Sequence, residues 1–106
     1  MQKLESIKEI IKHYDNFLID QWGVIHDGKI GYKQAIDTIS YLNDNKKNLF
    51  IISNSSKRKK SSEDRLPLLG FKKNSFDEIF TSGEMIWNTL KEKYANTIKK
   101  KCLHIY

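Results

Sequence analysis

The sequence predicts an α/β chain built on a parallel sheet with flanking helices, and three observations carry that prediction. Short apolar runs at 17–20, 49–52 and 76–80 are each followed by polar residues suited to a turn. Amphipathic segments at helical spacing alternate with these runs. Finally, Leu49-Phe50-Ile51-Ile52 is continuously apolar, as expected of a strand buried on both faces of a parallel sheet. Strands alternating with helices argue for parallel pairing, because a parallel connection needs a crossover long enough to hold a helix.

The elements follow in order. Leu4, Ile7, Ile10 and Ile11 recur at helical spacing, so 3–13 reads as a short amphipathic helix. Tyr14-Asp15-Asn16 is turn chemistry, and 17–20 is the first strand. Residues 21–32 form a loop punctuated by Gly23, Gly28 and Gly31, with Val24 and Ile25 as a small extended flap. A helix fits 33–44, where Ala35, Ile36, Ile39 and Leu42 make one apolar stripe. After the strand at 49–52 comes the hydroxyl cluster Ser53-Asn54-Ser55-Ser56. Residues 61–69 are expected to be helical, capped by Ser61 or Ser62 and interrupted toward the end by Pro67. Gly70 ends that helix. A brief strand at 76–80 leads through Thr81-Ser82-Gly83 into a helix at 84–95, and Cys102–Tyr106 begins a further strand. A strand as the last thing in a chain is expected to belong to a longer polypeptide.

The whole chain sets outer bounds. Its 106 residues suffice for one domain of modest core. Nineteen basic residues against thirteen acidic ones give a net charge of +6, a balance that suits an anionic partner. The excess is mostly Lys and accompanies no RNA- or DNA-binding motif, so no specific nucleic-acid function is expected. One cysteine excludes an intrachain disulfide and any multi-cysteine metal site. No apolar run reaches the roughly 20 residues that span a bilayer, and the N-terminus lacks an apolar signal core. The expected location is therefore the cytoplasm.

Chemistry concentrates after the first two strands. Ligands in open α/β sheets bind beyond the carboxyl ends of strands, where Asp20 stands. Asp20 reads either as a reactive carboxylate or as an Asp that simply ends a strand. The run Asp20-Gln21-Trp22-Gly23-Val24-Ile25-His26-Asp27-Gly28-Lys29, together with Ile52-Ser53-Asn54-Ser55-Ser56, Leu69-Gly70-Phe71 and Thr81-Ser82-Gly83-Glu84, resembles the haloacid dehalogenase superfamily. The likeness runs from about residue 14 onward. It is closest to the branch whose cap domain is inserted after the second motif, class IIA.

That resemblance implies a Rossmann-like sheet and Mg²⁺-dependent hydrolysis of a small phosphorylated metabolite. Asp20 matches the family's nucleophile, which forms an aspartyl-phosphate that water then cleaves. Asp20 and the backbone carbonyl of Trp22 match ligands of the Mg²⁺ ion, for which hard oxygen donors are suited. Ser53 matches the second motif, whose hydroxyl donates to the phosphoryl oxygens, with Asn54 beside it and Trp22-Gly23 forming the turn around the substrate. One departure stands out. The family's phosphatases carry a second Asp two residues after the nucleophile as general acid; here that place is Trp22, which cannot exchange the proton. The third-motif Lys or Arg and the fourth-motif carboxylates follow the cap in this family, so the chain reads as the N-terminal part of such a core, lacking cap and C-terminal half. By itself it is expected to be inactive. The alternative is a non-catalytic domain that binds a phosphorylated ligand or a protein partner.

Remaining features have plainer readings. Lys57-Arg58-Lys59-Lys60 reads as a solvated loop. His26 with Asp27 reads as structural or gating, since adjacent residues rarely chelate one ion. Trp22 could stack on a substrate ring or fill the wall beside the nucleophile. Trp87 reads as packing on a helix. Cys102 and His104 share a strand face and read as core.

Overall fold

The computed structural model describes residues 6–95, 103 and 105. Three strands, β1 (Asn16–Ile19), β2 (Asn48–Ser53) and β3 (Glu78–Thr81), form one sheet in the order β1-β2-β3, with both pairings parallel. Three helices accompany them: α1 (Lys33–Asp44), α2 (Lys59–Leu68) and α3 (Ser82–Lys93). The expected parallel α/β architecture is present.

Register decides which side chains meet. Phe17 lies beside Leu49, Ile19 beside Ile51, and Ile51 beside Ile79, so these residues share one face. Ile39 and Leu42 of α1, Leu66 of α2, and Phe71 close over that face as one cluster. Leu42, Leu49 and Ile51 are fully buried, each contributing about 1.5–3 kcal/mol relative to exposure. The opposite face behaves differently. Leu18, Ile52 and Phe80 remain 65%, 46% and 45% exposed. The expectation that β2 is buried on both faces therefore fails. Its burial alternates, because α1 and α2 lie on one side and no described residue buries Ile52 from the other.

Several boundaries move for identifiable reasons. The stretch expected as a helix at 3–13 is two 3₁₀ turns, Ile7–Glu9 and Ile11–His13, within the described part. Only Ile11 is buried there, too little contact to offset helix nucleation. Ser6 and Glu9 form a reciprocal capping box instead. β1 stops at Ile19, leaving Asp20 as the first residue beyond it. Val24 and Ile25 do not form an extended flap: both of their N–H groups donate to the Gln21 carbonyl, at 3.1 and 2.9 Å, in a tight turn.

α2 begins two residues before the expected start, and neither Ser61 nor Ser62 caps it. It also runs one residue past Pro67, whose missing N–H forgoes one bond to the preceding turn near the helix's end. The helix then ends as expected at Gly70, whose N–H donates to the Pro67 carbonyl while that of Phe71 donates to Leu66. β3 and α3 each sit about two residues from their expected positions, β3 later and α3 earlier, with Thr81 capping α3. Of the strand expected at 102–106, Cys102, His104 and Tyr106 lie outside the described residues; Leu103 and Ile105 carry no regular secondary structure.

Candidate active site

The carboxyl ends of β1 and β2 meet at one edge of the sheet, and the candidate site is built there. Asp20 leaves β1 with its carboxylate exposed, and its Oδ1 accepts the Gln21 N–H at 2.7 Å. That bond fixes one of its two oxygens. Leu18, Ile19, Asp20, Ile52 and Asn54 line a cleft of about 440 Å³ on the uncovered face of the sheet. Asp20 also borders an apolar cavity of about 500 Å³ that runs along β1 past Phe17, Ile25, Tyr32 and Ile39. It is the polar group at the junction of the two.

Asp20 and Asn54 are thus brought together, whereas Ser53 is not in the cleft lining. Ser53 is buried on the covered face, beside Thr81 in the register. Its Oγ accepts the Ser55 N–H at 3.2 Å, and the Ser55 Oγ accepts the Lys57 N–H at the same distance. These two turns coil the loop 53–57 tightly after the strand. Accepting this bond leaves the Ser53 hydroxyl its own proton to donate.

Behind Asp20 lies a buried polar relay. Gly28 N–H donates to His26 Nδ1 at 3.0 Å, which assigns the remaining ring proton to Nε2. That Nε2–H faces Gln21 Oε1 at 3.4 Å, and Gln21 Nε2 donates to Ser62 Oγ on α2 at 3.1 Å. Burial, reinforced by the nearby Arg65 charge, pushes the His26 pKa down, so the ring is neutral. His26 is held inside the loop by the Gly28 N–H and Gln21. Asp27 accepts the N–H groups of Lys29 and Ile30 at 2.8 and 2.9 Å.

The Trp22 ring packs on this loop. It meets His26 edge-on at 5.2 Å between centroids and lies 5.5 Å from the Arg65 guanidinium. Arg65 in turn donates to the Gly28 carbonyl. A β-carbon at Gly28 would stand 2.1 Å from the indole, so only glycine admits the ring there. Trp22 still exposes 56% of its surface. The ring thus packs on the loop and also presents exposed surface, so both readings of Trp22 stand.

The basic run is not a loop of free charges. Lys59 and Lys60 belong to α2. Arg58 makes a two-pronged pair with Glu84 at 2.6 and 2.9 Å, Lys59 pairs with Glu78 at 3.1 Å, and Lys60 with Asp64 at 2.7 Å. Trp87 lies under the Arg58 guanidinium at 3.7 Å, rather than in a core. The roles that Gln21, Ser62, Arg65 and Glu84 take here are not those their sequence context suggested. Their roles depend on helices and strands meeting across 25 or more positions, a relation no local pattern encodes.

Among the described residues no three His, Cys, Asp or Glu side chains converge as a metal site. Asp20 with the Trp22 carbonyl offers two oxygen donors, short of the near-octahedral set Mg²⁺ demands. These residues do not constitute a complete Mg²⁺ site. Nor is any helix among them long and apolar enough to cross a membrane.

Comparison with known proteins agrees with this geometry. The model of a family of haloacid dehalogenase-like hydrolases matches residues 17–106. A crystal structure of a hydrolase of the haloacid dehalogenase-like family from Brucella suis 1330 superposes with a TM-score of 0.74 at 26% sequence identity. The alignment covers 84% of this chain and 34% of that one, so the chain spans about a third of this relative. No curated protein matches.

Proposed function

The chain belongs to the haloacid dehalogenase-like hydrolases, and on that premise we propose that it forms the nucleophile-bearing part of a phosphoryl hydrolase. The observation that carries this reading is Asp20: an exposed carboxylate, one residue past a parallel strand, in a cleft it shares with Asn54. In this reading one Asp20 oxygen attacks phosphorus and the bond to the leaving oxygen breaks. Water then cleaves the aspartyl-phosphate. Asn54 is the side-chain donor to the phosphoryl oxygens from the cleft wall, and the buried Ser53 shapes the loop that carries it.

Members of this superfamily generally depend on a metal ion. Mg²⁺ would supply positive charge where two anions meet. This chain's own donors for it are Asp20 and the Trp22 carbonyl. In the family the remaining ligands, the third-motif cation and the substrate-selecting cap lie outside the part that this chain matches, which spans about a third of the similar hydrolase. The chain alone is accordingly proposed to be inactive.

Trp22 shapes both the chemistry and the alternative. No acid stands two residues after Asp20, so the leaving group must depart without that proton donor, which favours substrates with good leaving groups such as acyl phosphates. The same tryptophan, locked over Gly28 and His26, also supports a second reading, a domain that binds a phosphorylated ligand without turning it over. Replacing Trp22 with Asp separates the two in the intact protein. A phosphomonoesterase rate raised toward the 10²–10⁴-fold worth of general acid catalysis supports the hydrolase. Unchanged inactivity with retained phosphate binding supports the binding domain.

A further inference from the structure

The segment Thr81-Ser82-Gly83-Glu84 has no part in the chemistry described above, yet its contacts converge on a single loop. Thr81 is fully buried at the end of β3, and its hydroxyl donates to the Lys57 carbonyl at 2.8 Å. Gly83 N–H donates to the Ser55 carbonyl at 3.0 Å. A β-carbon on Gly83 would lie 2.0 Å from the Ser56 carbonyl oxygen, so the two backbones pack as closely as glycine allows. Glu84 grips Arg58 with both carboxylate oxygens and also accepts the Lys59 N–H at 3.1 Å. From Ser55 to Lys59, every residue is held by this one turn of chain.

What is held matters. Residues 53–57 begin at Ser53 and Asn54, the latter a wall of the cleft beside Asp20. Loops after strands are the mobile parts of a fold unless something fixes them. A site that recognises a phosphoryl group needs its donors placed within about 0.5 Å. The loop's own two hydroxyl turns bend it but do not attach it to the sheet. Its attachments run through Thr81, Gly83 and Glu84, on the neighbouring strand and helix.

We infer that Thr81, Gly83 and Glu84 are positioning residues for phosphoryl binding: they brace loop 53–59 so that its donors face the Asp20 cleft. This rests on the reading of Asn54 and the loop after Ser53 as the phosphoryl-binding segment, and deepens it by naming what holds that loop. The brace has an internal logic. Thr81 Oγ1 donates to the loop while accepting the Glu84 N–H at 3.1 Å, so one hydroxyl starts α3 and anchors the loop together. Glu84 in turn supplies the acceptor that the first N–H of α2 lacks, since no side chain of α2's own cap provides one.

The test is titration of the ¹⁵N-labelled 106-residue chain with inorganic phosphate, read from the amide shifts of Ser53–Lys57. Thr81→Val removes the hydroxyl at nearly constant shape, Thr81→Ser keeps it, and Glu84→Gln removes the charge. Saturable shifts are expected in the wild type, with affinity about tenfold weaker in Thr81→Val and Glu84→Gln. Thr81→Ser should retain wild-type affinity, a rescue that lost packing alone does not give. Thermal melts establish that each chain is folded, and Glu84→Gln carries the test if Thr81→Val is not. Wild-type affinity in Glu84→Gln and Thr81→Val would overturn the brace and leave the phosphoryl reading standing. Equal loss in Thr81→Ser and Thr81→Val would also overturn it. If the wild-type amides do not respond to phosphate, the brace proposal falls, while the hydrolase reading is decided separately by the Asp20 test.

Discussion

At the scale of single residues, the loop after Asp20 owes its shape to a tryptophan lying on a glycine. Gly28 has φ +86° and no space for a side chain beneath the indole. Gly28→Ala should therefore destabilise the chain by about 1–2 kcal/mol from backbone strain alone, before the overlap with Trp22 is counted; urea unfolding would measure it. His26 makes a second prediction. Its native pKa lies below the ordinary 6.5, so the unfolded chain binds the proton first. Stability on its account is complete above about pH 6.5 and declines as pH falls below that value. His26→Asn should remove this part of the acid slope in a series of melts between neutral pH and pH 5. Asp20 itself was legible in the sequence because a carboxylate directly after an apolar strand is a local pattern. The relay from His26 through Gln21 to Ser62 was not, since it joins positions 41 apart through side chains whose separate contexts are ordinary.

At the scale of elements, helices and strands were readable wherever one face is buried. Lys33–Asp44 matches its expected bounds because four apolar residues at helical spacing meet the sheet. α2 was misplaced because its first turn is stabilised from outside, by Glu84, rather than by a serine cap of its own. The basic run is largely exposed as expected, but three of its four charges, on Arg58, Lys59 and Lys60, are also paired across the fold or along α2. Arg58 beside Glu84 holds that carboxyl at a pKa of about 2, against an ordinary 4.5. A depressed acid pKa stabilises above the unfolded value, and that contribution is lost as pH falls from about 4.5 toward 2. Glu84→Gln should flatten this acid limb, and a wild-type slope between those values would contradict the pairing. Melts from pH 5 to pH 2 read it directly.

At the scale of the whole molecule, the fold of the described residues is one-sided. Leu49→Ala, in the covered core, should cost about 2–5 kcal/mol by opening a cavity that closes poorly. Leu18→Lys, on the open face, should change unfolding free energy by less than about 0.5 kcal/mol while lowering self-association, measurable by light scattering. The sequence could not announce this asymmetry, because an apolar run such as Leu49–Ile52 reads alike whether one face or both is covered. The same layout explains why the site is assembled from strand ends. The parallel register sets Asp20 and Asn54 at one edge, with the buried relay behind Asp20 and the Thr81–Glu84 brace supporting the loop at Asn54.

The most direct test of the nucleophile assignment is peptide mapping of the intact protein after brief exposure to acetyl phosphate and Mg²⁺. The account predicts a phosphoryl group on the peptide containing Asp20, and neither that adduct nor phosphate release in Asp20→Asn. Wild-type turnover by Asp20→Asn, or a phosphoryl group on any other residue, would contradict it.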